Sequence, residues 1–252
     1  MRRRRYRSAA ALAVLMLLAA TSLVLHPGAW LLGSASSAPE RRPAPRALHQ
    51  GPRPAVVPRG AWHAESVGTA PAARYAPAVR AAVIHHTSTP NGYDCATVPG
   101  TLRQVYAGHA IGREWDDIGY NFLVDACGTI YEGRAGGVDR PVVGAHSKGF
   151  NEGTVGIAGI GTFNEEDSVP EPMLDAMARL VAWKLGPYGP DPRGRVTLVS
   201  TNDEARYPKG TRANLAVVSG HSDGYPTRCP GGALHAKLPD IAARAARLQH
   251  RP

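Results

Sequence analysis

The front of this 252-residue chain is almost without acid: between Met1 and Arg59 stand ten arginines and a single carboxylate, Glu40. From residue 60 onward 19 Lys and Arg face 19 Asp and Glu, so the formal charge of +9 belongs to the N-terminal arm. A nucleic-acid-binding domain carries its excess charge on its folded face, and a neutral folded part argues against that class. Cysteine is scarce too. Cys95, Cys127 and Cys229 make an odd number, which cannot all pair with one another. Charged residues reach only 19% against 43% hydrophobic, which excludes a wholly disordered chain. No internal repeat is visible.

What stands at the front has an export pattern. Arg2, Arg3, Arg4, Arg5 and Arg7 precede an apolar run from Ser8 to Leu25, broken by His26-Pro27-Gly28. Small residues follow at Gly33–Ala38. Basic, apolar and small-residue regions in that order are those of a secretory signal, and the apolar run is also near the lower limit for a spanning anchor. Residues 1–38 therefore read as a signal peptide or an N-terminal membrane anchor. The protein is expected outside the cytoplasm, extracellular or associated with the cell wall. Residues 39–58 hold six prolines with Arg and Ala, too little apolar surface to fold, and read as an extended linker. That stretch is a solvated tether or a basic arm for anionic wall polymer or lipid headgroups.

Residues 59–250 read as one domain of α/β class, a central mixed β-sheet flanked by helices. Strands are expected at Arg80–His86, Tyr120–Asp125, Gly128–Glu132, Thr154–Gly161, Val196–Val199 and Leu215–Val218. Helices are expected at Val98–Ile111, Pro172–Leu185 and Leu234–Leu248, from apolar residues in helical spacing. A polar insertion at Ser200–Gly210 separates the last two strands.

The odd cysteine opens the chemistry. His221 and Cys229 sit eight apart in a Gly- and Pro-rich loop after an apolar strand, and imidazole nitrogen and thiolate sulfur are preferred donors for Zn²⁺. His85 ends a strand, where its side chain can leave the sheet end. His86 next to it faces the other way and reads as a core or supporting residue. Three donors without a fourth leave a position for water, the arrangement of a catalytic zinc. Adjacent Asp116 and Asp117 read as solvated loop carboxylates, not as a glycosidase pair.

Five blocks in order carry a resemblance. They are Val83-Ile84-His85-His86-Thr87, Trp115 through Phe122, Gly128 through Arg134, Gly144-Ala145-His146, and Gly220-His221 through Cys229-Pro230-Gly231. From about Trp62 to about Leu238 the chain resembles the peptidoglycan recognition protein and type 2 N-acetylmuramoyl-L-alanine amidase family, with the bacterial exported branch the nearest likeness. The resemblance implies a zinc amidase domain that hydrolyses the amide between the lactyl group of N-acetylmuramic acid and L-alanine. It implies His85, His221 and Cys229 as zinc ligands, with Tyr120 and Thr227 beside the reacting water. His146, Asn151 and Trp115 fall at positions near the substrate groove, as candidate contacts for peptidoglycan or muropeptides. The alternative is a muropeptide-binding module without catalysis; non-catalytic members typically lose the cysteine ligand that is kept here. With Cys229 assigned to the metal, Cys95 and Cys127 remain as a disulfide pair in an exported protein, against the alternative of two free buried thiols. The longer segment Asp191–Leu215 departs from the family pattern and is expected to reshape one wall of the cleft. Nothing in the sequence calls for an obligate oligomer, so a monomer is expected.

Overall fold

The computed structural model describes residues 49–252. The expected signal or anchor at 1–38 and the first part of the linker lie outside them. The elements run β1 Ala81–His86, α1 Val98–Ala110, β2 Phe122–Val124, β3 Ile130–Glu132, β4 Thr154–Gly159, α2 Glu171–Leu185, β5 Arg195–Val199, β6 Arg212–Ala216, β7 Val218–Gly220, α3 His221–Gly224, α4 Gly232–Ala236 and α5 Leu238–Leu248.

Five strands form the mixed sheet in the order β3-β2-β4-β1-β7, with β2, β4, β1 and β7 parallel and β3 antiparallel at the edge. A parallel strand covered on both faces needs an almost unbroken apolar run, and all six residues of both β1 and β4 are buried. Alternate residues serve opposite layers. Ile84, Phe122, Val124 and Ile157 face α2 and α5. Leu123 and Ala158 face a second layer built from Trp62, Leu102, Tyr106 and Ile118. The helices α1, α2 and α5 each carry proline at the second position, Pro99, Pro172 and Pro239. There a fixed φ suits the helix and the missing N–H has no partner to lose.

Three expectations change. Val196–Val199 and Leu215–Val218 do not both join the central sheet. β5 and β6 make a separate antiparallel hairpin, and only β7 reaches the sheet, as its edge. β6 alternates between exposed and buried residues and β5 buries only Leu198, as in a strand pair with one wet face. Its inner residues Leu198, Ala213 and Leu215 cover Phe150 and Ala81. The single closing helix is two, α4 and α5, because a proline at 239 cannot continue a helix whose carbonyl at residue 235 its ring would strike. Finally, residues 49–58 are not a free tether. The Val57 N–H donates to the Ile130 carbonyl at 2.8 Å and the Glu132 N–H to the Val57 carbonyl at 2.9 Å, so the segment runs along the β3 edge. Gly51 is buried where a Cβ would lie 2.7 Å from that of Ala182, a close approach that only glycine allows.

Cys95 and Cys127 form a disulfide, joining the turn before α1 to the β2–β3 hairpin across 32 residues. Closing a loop of that size removes freedom from the unfolded chain. Replacing both cysteines by serine is expected to lower stability by about 2–4 kcal/mol in denaturant titration, with the circular dichroism spectrum unchanged.

Lys184 on α2 is 5% exposed, its ammonium donating to the carbonyls of Val138 at 2.6 Å and Arg140 at 3.0 Å. Burial brings its pKa down to about 8, against an opposing pull from Asp139. Above that pH the unfolded chain holds a proton that the folded chain has lost, so stability rises with pH up to the ordinary lysine range. Relative to Lys184→Met, the wild type is expected to gain roughly 1–3 kcal/mol between pH 7 and pH 10 in parallel denaturant titrations.

Candidate functional site

The carboxyl ends of β1, β4 and β7 come together at one edge of the sheet, where α/β folds open a crevice. Ile84 pairs with Gly220 in parallel register, so His85 stands beside His221, the first residue of α3. Their ring centroids are 4.5 Å apart. The loop after α3 turns back and brings Cys229 under the same point. One donor atom from each of His85, His221 and Cys229 lies within 4.8 Å of the other two, and among the described residues no fourth acid, histidine or cysteine joins them. Cys229 is the free cysteine, and it is buried.

The chemistry of this donor set fits a soft divalent cation. Burial holds His85 well below the ordinary imidazole pKa, with His221 and His146 adding to the effect. His221 is brought down to about 4, again chiefly by burial. Both rings are therefore neutral and carry a lone pair. Burial pushes the Cys229 thiol up to about 12, although the His86 N–H, 3.3 Å from Sγ, favours the thiolate. A buried thiol with no cation beside it keeps its proton; a coordinated cation displaces it. His86 contributes its backbone and not its ring, since its carbonyl also accepts from the Tyr120 hydroxyl at 3.3 Å.

Above the three donors runs a groove of about 920 Å³. Tyr120 and Thr227 line it, as do Trp115, His146 and Asn151. Tyr120 lies 5.2 Å from the His85 ring between centroids, and burial raises its pKa, so its hydroxyl remains a donor. The Thr227 hydroxyl oxygen accepts from the Cys229 N–H at 3.2 Å. Trp115 has its ring centroid 4.7 Å from that of His109 and the Arg113 guanidinium 5.3 Å over it. Asn151 spends its Oδ1 on the N–H groups of His146 and Ser147, both at 2.8 Å, and so shapes the loop that forms one wall.

His146 differs from its expected role. It is 5% exposed, and both ring nitrogens face groups of the fold: Nδ1 lies 3.1 Å from His85 Nε2 and Nε2 lies 3.4 Å from Thr154 Oγ1. Its ring forms groove floor and leaves no nitrogen for a substrate. Asp117 differs as well. It is 2% exposed, paired with Arg59 at 3.1 Å and accepting from the N–H groups of Ile118 and Ala135, so it is a structural carboxylate. The Ser200–Gly210 insertion contributes no groove residue but braces the walls. The Thr201 N–H donates to the Gly149 carbonyl, the Arg206 N–H to that of Gly224, and Glu204 pairs with Lys148.

Sequence reasoning missed the cations. Arg113, Lys148 and Arg228 line the groove and no Asp or Glu does, among the described residues. Their sequence neighbours Trp115, His146 and Cys229 were the available signal.

Residues 75–232 match the family described as N-acetylmuramoyl-L-alanine amidase. Peptidoglycan-recognition protein LB of Drosophila melanogaster is 31% identical over 159 residues, covering 62% of this chain and 56% of its own. The chain spans 31% to 65% of the length of such curated relatives. Among solved structures, wild-type Drosophila PGRP-LB superposes with a TM-score of 0.56 at 26% identity, over 73% of this chain and 92% of that one. Peptidoglycan recognition protein LE, solved in complex with tracheal cytotoxin, a monomeric diaminopimelic acid-type peptidoglycan, gives 0.55 at 28% over the same shares.

Proposed function

Because the chain belongs to the N-acetylmuramoyl-L-alanine amidase family, we propose that it is a zinc-dependent amidase cutting peptidoglycan between the lactyl group and L-alanine. The observation that carries this reading is the convergence of His85, His221 and an unpaired Cys229, of which His221 and Cys229 line an open groove. Zinc held there would lower the pKa of a water and polarise the scissile carbonyl.

The chain's own groups do the rest. Neutral His85 and His221 present lone pairs, and the His86 N–H steadies the charge on Cys229. The Tyr120 hydroxyl makes only a long bond to the His86 carbonyl, 3.3 Å, which it can exchange for the oxygen that becomes negative during attack. The Thr227 oxygen is anchored to the Cys229 N–H, leaving its proton to donate toward the same place. Arg113, Lys148 and Arg228 suit the carboxylates of a stem peptide, and Trp115 offers an apolar platform for it. Export supports the same reading: the Arg-rich start and apolar run at Ser8–Leu25 would deliver the domain to the cell wall.

Elemental analysis of the purified protein is expected to find one zinc per chain, and Cys229→Ser or His85→Ala less than about a tenth of that. Digestion of purified peptidoglycan is expected to release peptides with free L-alanine amino termini, to stop with a chelator and to resume with zinc. Binding without release from any wall type would make the protein a muropeptide-binding module instead. Tyr120→Phe is expected to lower kcat by roughly 10²- to 10³-fold while zinc content stays at one. Lys148→Ala, which removes a groove cation and its exposed pairing with Glu204, is expected to raise KM about fivefold with little change in kcat.

A further inference from the structure

The hydrogen bonds beneath His85 have a direction, and it can be read from the far end. The Phe150 carbonyl can only accept, and the Thr154 hydroxyl lies 2.5 Å from it, so Thr154 spends its one proton there. Toward His146, Thr154 Oγ1 can then only accept, at 3.4 Å from Nε2. His146 therefore carries its proton on Nε2. Its Nδ1 can then only accept, at 3.1 Å from His85 Nε2. His85 therefore carries its proton on Nε2, and its Nδ1 is left bare. That bare nitrogen is the one 3.7 Å from Cys229 Sγ. Two donors bonded to one tetrahedral ion at about 2.0 and 2.3 Å stand about that far apart.

The fold has made room for this arrangement. A Cβ at Gly156 would lie 2.4 Å from Cγ of His146, and one at Gly144 would lie 2.5 Å from its Cδ2. The imidazole fills a slot that exists because both positions are glycine. The His146 N–H is tied to Asn151 Oδ1 at 2.8 Å, which fixes where the ring starts. The His85 and His146 rings meet edge to face at 80°, their centroids 5.0 Å apart.

We propose that His146 is a positioning residue: with Thr154 behind it, it locks His85 as the Nε2–H tautomer and so aims a bare Nδ1 at the cation shared with His221 and Cys229. A ligating histidine is ordinarily steadied by a carboxylate or a carbonyl. Here the partner is a second neutral imidazole, which holds the ring without adding negative charge to the site. The proposal rests on the zinc reading for its consequence, while the tautomer itself belongs to the metal-free chain.

Long-range ¹H–¹⁵N NMR of the metal-free, ¹⁵N-labelled protein separates the two. His85 is expected as a single Nε2–H tautomer in the wild type. In His146→Phe that preference is expected to be lost, and zinc affinity, read by competition with a chromophoric chelator, to fall about 10- to 100-fold. His146→Asn places an amide oxygen where Nδ1 accepted and is expected to restore the tautomer and most of the affinity. Thr154→Val leaves His85 and His146 in place but frees the direction of the bonds, and a mixed His85 tautomer is expected. An Nδ1–H form of His85 in the wild type, or an unchanged tautomer in both His146→Phe and Thr154→Val, overturns the proposal. So does a lost tautomer with undiminished zinc affinity. A wild type with the expected tautomer that binds no zinc would leave the lock standing and remove the zinc amidase reading.

Discussion

The parallel register that sets Ile84 opposite Gly220 determines how far His85 stands from His221. Side chains alternate along a strand, so a slip of one residue in β1 would turn His85 into the layer that now holds Ile84. The register is strongly specified because both faces of β1 are buried. Ala82 and Ile84 must reach the α2–α5 layer, and Ala81 must sit under the β5–β6 hairpin. The core thus places a candidate ligand. Cys229 depends on the same edge, since the backbone N–H that steadies its sulfur belongs to His86, the last residue of β1.

Charge is handled consistently around that point. The residues below and beside the donors are neutral, and those lining the groove are neutral or cationic. An absent carboxylate has two consequences. A cation held by the three donors would keep its full effect on a developing oxyanion, and an anionic ligand would meet no repulsion on entry. The acids of this region are placed elsewhere: Asp117 is committed to Arg59, and Asp223 to the Gly220 N–H and to His235 at 3.0 Å. Asp223 thereby fixes the start of α3, where His221 sits.

The donors were legible in the sequence because their side chains are unusual in type and because one cysteine had no partner. His85, His221 and Cys229 need only a strand end and a returning loop to meet. The strand pattern was legible for β1 and β4, whose burial makes them continuous apolar runs. The β5–β6 hairpin was misplaced because Val196–Val199 and Leu215–Val218 have strand composition without any mark of which sheet they join. Gly51 looked like linker because a glycine chosen for close approach is indistinguishable in sequence from one in a flexible tether. The role of His146 was hidden for a similar reason: it is set by Gly144 and Gly156, two missing side chains on different segments.

The insertion at Ser200–Gly210 shows how a polar segment can serve a site that it does not enter. It bonds to the Gly149 carbonyl on one side and to the Gly224 carbonyl on the other, so it spans the loop after His146 and the helix of His221. Arg206 adds a bond to the Ser222 carbonyl, and Phe150 packs edge-on against Tyr207 with centroids 6.0 Å apart. Phe150 is the residue whose carbonyl ends the Thr154–His146–His85 chain. The far end of the hydrogen-bonded support is therefore held in place by the hairpin and its insertion. Ordering such a polar segment costs conformational entropy at every residue. Bracing two loops that must stay in register with one another is what that cost supports.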